Sequence, residues 1–313
     1  MRASDIVTAH EVRAVRRDKT FVLLLVVFLG MTLASAYIGW SSHHTVQSVY
    51  DSSALLLQQQ GKAVPPPPFD SVAPLSLANN MIVYVVLIGA LLALTLGQLA
   101  GLRDRQAGVV RILFSRPVTA GQFLTGKVQA IVLVLGCVLG LAWIVSVASS
   151  IVVSHIGIAD AARLAGFYLL SLAYLTAFAL LGLLFGLTAE SGTMALLMPT
   201  LIWMAITFLL PELGSALHPT ASLNPTLPQT DVLESSMLHA LHSAVYPLSL
   251  SEQFKAAAEG LLMLPTQSPS ATGHQLPAWL GYITVPAWAA ACMASCHNAM
   301  AHFKPWQNRL DDE

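Results

Sequence analysis

The chain has 313 residues, of which 55% are hydrophobic and only 10% charged, and its mean hydropathy is +0.67. A soluble domain carries about 25% charge, so a surface wetted all round is excluded, and a net charge of -1 excludes the basic footprint that nucleic acid requires. What remains is a membrane protein.

Residues 1–19 form a helix candidate with Ile6, Val7, Ala14 and Val15 on one broad side. Arg13 and Arg17 are one turn apart, and Arg16 lies beside them. Such residues can anchor to anionic lipid or meet a soluble partner. A bilayer core about 30 Å thick needs roughly 20 apolar residues as helix, and the run 20–40 supplies the first span. Ala34-Ser35-Ala36 also fits a cleavable leader; the run is read here as a membrane helix. An outer loop, 41–80, follows. Its Pro65-Pro66-Pro67-Pro68 predicts a polyproline II rod.

Further spans are expected at 81–101, 128–152, 164–188, 194–210 and 277–301. The fourth and fifth are joined by a tight hairpin, and the fifth holds Pro199. A cytoplasmic segment, 102–127, separates spans two and three. A second outer loop, 211–276, separates spans five and six. It contains two short outer-face helix candidates: 232–246, capped by Asp231 and Glu234, and 250–264, capped by Ser249 and Glu252. Their apolar residues place them against the membrane or dipping into it. A tail, 302–313, ends the chain. With the N-terminus inside, all but Lys62, Arg163 and Lys255 of the 15 basic residues fall on the inner side. The fold expected is therefore an all-α polytopic membrane protein with six transmembrane helices, cytoplasmic N- and C-termini, and short outer-face helices between helices five and six.

Gly97 and Gly101, Gly136 and Gly140, and Gly182 and Gly186 are spaced by four within three apolar spans. That spacing lets helix backbones approach closely in lipid. The stretch GQFLTGKV, 121–128, matches a phosphate-cradling loop until its last position, where Val128 stands in place of the Ser or Thr that holds magnesium. No acidic magnesium partner is evident. Lys127 is read as a snorkelling interface anchor at the mouth of span three.

The inner segment runs from Gln106-Ala107-Gly108 through Leu113-Phe114-Ser115-Arg116-Pro117-Val118 to Lys127. It resembles the corresponding loop of ABC-2 type permeases, the membrane subunits of ATP-driven exporters, although their usual Glu before the Gly is absent. HEVRAVRRDKTF resembles that family's cytoplasmic interface helix, and LLGLLFGLTAESGTMALLM its fourth-to-fifth hairpin. The nearest subgroup is the permease of multicopper-enzyme maturation systems. The resemblance implies a non-catalytic subunit that binds no cofactor, with ATP and Mg on a separate ABC ATPase subunit present in two copies. It also implies a second permease copy. Arg105, Gly108, Arg111, Ser115, Arg116 and Pro117 are then the ATPase-coupling residues, and Glu11, Arg13, Arg16 and Arg17 the second contact. The lipid bilayer and a periplasmic protein complete the expected partners; nucleic acid does not figure.

Two rival readings stand. One is a mechanical transmitter that works on a periplasmic partner without transport. The other is a membrane-embedded metal-handling protein, in which Cys292 and Cys296, one turn apart with Met293 and Met300 near, bind Cu(I). Ordinary helix packing is the plainer account of the cysteines. The spans contain almost no charge, which argues against a proton-coupled carrier and for an energy source outside the chain.

Overall fold

The computed structural model describes residues 3–66, 75, 78–105, 119–153, 157–211, 244–245, 248–264 and 277–301, and among these residues there is no strand. Helix α1 is Ala3–Val15 and α2 is Lys19–Gln59. Helix α3, Asn79–Tyr84, passes through a π-helical turn, Val85–Gly89, into α4, Ala90–Asp104. Then come α5, Ala120–Val153, α6, Ile158–Thr188, and α7, Gly192–Met204, which a second π turn, Ala205–Leu209, extends. Helices α8, Leu250–Leu262, and α9, Ala278–Ala301, complete the set. Among the described residues, six stretches are long and apolar enough to cross a membrane: α2, α3–α4, α5, α6, α7 and α9. Helix α1 and the free end of α9 lie at one end of the bundle, called the base below.

Helix α2 starts at Asp18, whose carboxylate accepts from the backbone N–H of Thr20 and Phe21 at 3.0 and 3.2 Å, satisfying donors that a helix start leaves open. The loop expected from residue 41 is instead helical through Gln59. No Gly or Pro interrupts 41–59, and Thr45, Ser48, Ser52 and Ser53 donate to carbonyls three or four residues back. The helix ends where Gly61 adopts a φ of +68°, with Gly61 N–H on Gln58 O and Lys62 N–H on Leu57 O at 3.0 Å each. That is a Schellman cap, which glycine forms without side-chain strain. At 41 residues, α2 is about 60 Å long, twice a bilayer core. The chain then turns back, and Tyr50 OH donates to Pro65 O at 2.7 Å. Pro67 and Pro68 lie outside the described residues.

Helices in lipid gain little from apolar burial against one another, so close backbone packing carries the association. The tightest crossing is α4 on α6. A Cβ on Gly97 would collide with the Ala179 carbonyl, and one on Gly182 with the Leu94 carbonyl. A Cβ on Gly101 would stand 2.7 Å from Gly186 Cα, and one on Gly186 2.8 Å from Gln98 O. Four of the six spaced glycines therefore meet each other. Gly136 and Gly140 do not: nothing lies within 4 Å of the Cβ position at either, so their expected packing role within the chain is not found. Polar side chains add cross-links between spans. Gln98 Nε2 donates to Leu196 O at 3.1 Å, Ser146 Oγ and Tyr168 OH stand 2.6 Å apart, and the Cys296 thiol donates to Leu180 O at 3.3 Å.

Helix α8 is seated inside the bundle, entering from the end opposite the base. Ser249 caps it, with Glu252 N–H on Ser249 Oγ at 3.4 Å. Phe254 is fully buried and stacks on Tyr174, midway along α6, with ring centroids 4.4 Å apart. Ser249 and Ser251 Oγ each donate to Ile206 O at 3.1 Å. Ile206 sits in the π turn, where the shifted i→i+5 bonding leaves carbonyls open to outside donors. The expected helix at 232–246 lies outside the described residues, apart from Ala244 and Val245.

Candidate functional site at the base of the bundle

Helix α5 begins at Ala120, so GQFLTGKV is helical from its first residue and offers no loop to hold a phosphate. Its Gly and Lys do something else. A Cβ on Gly126 would lie 2.8 Å from both Ser4 O and Val7 Cβ. Glycine at 126 is therefore what lets α1 lie directly on α5. Thr8 Oγ1 stands 3.0 Å from Gly126 O across the same contact.

Lys127 is 0% exposed, so it does not snorkel to a lipid interface as expected; it is buried and paired. Its Nζ donates to Glu11 Oε1 and to Ala100 O, both at 2.7 Å, and lies 5.1 Å from the centre of the Phe123 ring. Glu11 is only 5% exposed. Its second oxygen makes an ion pair with Arg103 Nη2 at 3.5 Å, and Arg103 Nε donates to Leu99 O at 2.9 Å. A bare ammonium in a membrane protein interior is costly, and partners of opposite charge with added hydrogen bonds offset that cost. One carboxylate thus joins three helices: α1 through Glu11, α4 through Arg103, and α5 through Lys127. Arg105, 3% exposed, extends the fastening, because its Nη1 donates to Ala189 O in the turn between α6 and α7.

The base is therefore a fastened plate from which the chain leaves at 105 and to which it returns at 119. The family described as ABC-2 family transporter protein matches residues 6–300. The chain belongs to the ABC-2 transporter family. It is the membrane-spanning permease of an ABC transporter, and membership implies an ABC ATPase subunit as partner. No curated protein matches it.

Of the permease residues singled out for coupling, Arg105 is at the base as described. Gly108, Arg111, Ser115, Arg116 and Pro117 lie outside the described residues. On the interface helix, Arg13, Arg16 and Arg17 are exposed. Glu11 is not: turned into the bundle, it holds the helix and presents no charge to a partner. Cys292 and Cys296 are buried against the bundle. Among the described residues no group of three or more His, Cys, Asp or Glu is placed to hold a metal ion.

The permease also has buried carboxylates away from the base, which hydropathy did not suggest. Glu252 and Glu259 of α8 are each 8% exposed. Lys255 Nζ donates to Glu252 Oε1 at 2.7 Å. Burial, and then the Glu252 charge, push the Glu259 carboxyl up, against the lowering pull of Lys255. The expectation of spans almost without charge does not cover α8, which is not a span and brings these carboxylates into the bundle. Its signal was the capped amphipathic segment itself, which carries Glu252, Lys255 and Glu259 on consecutive turns.

Proposed function

We propose that this permease is the transmembrane part of an exporter in a bacterial inner membrane. It works as a dimer driven by two separately encoded ATPase subunits that hold ATP and Mg. The base faces the cytoplasm, with both termini. Arg105, Gly108, Arg111, Ser115, Arg116 and Pro117 form the segment on which the ATPase pushes, and the exposed Arg16, just after α1, marks the second contact. The observation that carries the reading is the Glu11–Lys127–Arg103 fastening. Work delivered from outside needs a stiff receiver, and this ion pair, with Arg105 on the α6–α7 turn, ties five helices together beside the coupling segment.

Purification of the chain from native membranes in mild detergent tests this. An ABC ATPase is expected to co-purify with the wild type and to be lost from an Arg111→Glu/Arg116→Glu variant that still folds. A chain that never brings down an ATPase contradicts the reading.

A second reading rests on α2. Its last 19 or so residues project beyond a bilayer core, so ATP-driven tilting would swing a long rod outside the membrane. That suits mechanical work on a periplasmic protein without transport. A continuous polar path between two permease copies would favour export.

A further inference from the structure

The base carries an open cavity of about 330 Å³, lined by His10, Arg13, Ala14, Arg17, Asp18 and Arg103. We propose that it is a binding site for the phosphate of an anionic phospholipid headgroup. Three guanidiniums face one space, contributed by α1, the turn after it and the end of α4. The side chains of Arg13 and Arg17 have no hydrogen bond or ion pair among the described residues. Arg103 spends Nε on Leu99 O and Nη2 on Glu11, while its Nη1 is buried with no acceptor among the described residues. Arg13 and Arg17 therefore hold the donors open to an anion's oxygens, and the Arg103 charge adds to the attraction.

The lining acid does not neutralise this charge. Asp18 Oδ1 already accepts two backbone N–H groups at the start of α2. The positive end of the α2 dipole also points at the cavity wall. A free phosphate would satisfy the same donors. The choice of lipid rests on what adjoins the cavity. Directly beyond Asp18, α2 presents Val22, Leu23 and Val26, which are 40%, 64% and 61% exposed, so an apolar wall for acyl chains continues from the headgroup position. Basic pockets at the ends of membrane helices are suited to such headgroups.

The isolated chain in an uncharged detergent, without any ATPase, tests the site independently of the transport reading. Native mass spectrometry would count lipid adducts after addition of phosphatidylglycerol or phosphatidylcholine, with inorganic phosphate as competitor. The wild type should retain phosphatidylglycerol at least about tenfold better than phosphatidylcholine. An Arg13→Gln/Arg17→Gln variant should lose that preference, and Arg16→Gln, whose side chain does not line the cavity, should keep it. Three results would overturn the proposal: equal retention of both lipids, unchanged preference in the double variant, or equal loss in Arg16→Gln. Displacement of the lipid by millimolar phosphate would assign the site to free phosphate instead and also overturn it. The wild-type comparison of the two lipids decides the matter even if the double variant fails to fold.

Discussion

Glu11→Gln should destabilise the permease by about 3–5 kcal/mol, the cost of leaving a buried charge without its partner. Lys127 has no solvent exposure to fall back on. Its contacts with the Ala100 carbonyl and the Phe123 ring do not neutralise it. Lys127→Met should cost a similar amount, because Glu11 would keep only the longer Arg103 contact. The double replacement, Glu11→Gln with Lys127→Met, removes both charges and should recover most of the loss. Thermal unfolding of the four proteins in one detergent measures the coupling. Single variants that lose less than about 1 kcal/mol, or a double variant as unstable as the sum of the singles, would show that the pair does not fasten the base.

Gly97→Val should have the next largest effect. The side chain would enter the α4–α6 crossing against the Ala179 carbonyl and the Leu183 amide. Both are backbone, so no flexible side-chain end can move aside, and the helices must separate. Overpacking usually costs about 1–3 kcal/mol and sometimes more, and this site belongs at the upper end. Gly136→Val is the control. It has the same apolar span setting and the same four-residue spacing, but nothing lies within 4 Å of its Cβ position, so a change within about 0.5 kcal/mol is expected. Folded yield and unfolding midpoint of the two variants compare the sites directly. Equal damage at both would mean that glycine is needed for its spacing alone.

The glycines also show what was legible in the sequence. Spacing marks a smooth helix face but says nothing of which helix will lie on it. Gly97, Gly101, Gly182 and Gly186 found each other, while Gly136 and Gly140 face open space. The six spans were readable because a bilayer demands a long apolar run. The end of α2 was not, because hydropathy falls after Trp40 although nothing stops the helix until Gly61. Lys127 was read by the local rule that a lysine near a span's end snorkels. Its true partner, Glu11, is 116 positions away, and no local period encodes that. An acid in the middle of a basic helix candidate, and a Lys following a Gly at a helix start, were the available hints. Helix α8 was readable as a capped amphipathic helix lying against the membrane or dipping into it, but not as a helix seated within the bundle. Its insertion depends on Ser249 and Ser251 reaching the Ile206 carbonyl, which becomes available only through a π turn invisible in sequence.

The most direct test of the account is photo-crosslinking in native membranes. A benzophenone residue would replace Arg16 at the base, or Gln59 at the far end of α2. The account predicts an adduct between the Arg16 position and an ABC ATPase, and none from Gln59. An ATPase captured from Gln59, or no ATPase captured from Arg16 while the protein is folded and expressed, would contradict the base as the place where the permease receives its work.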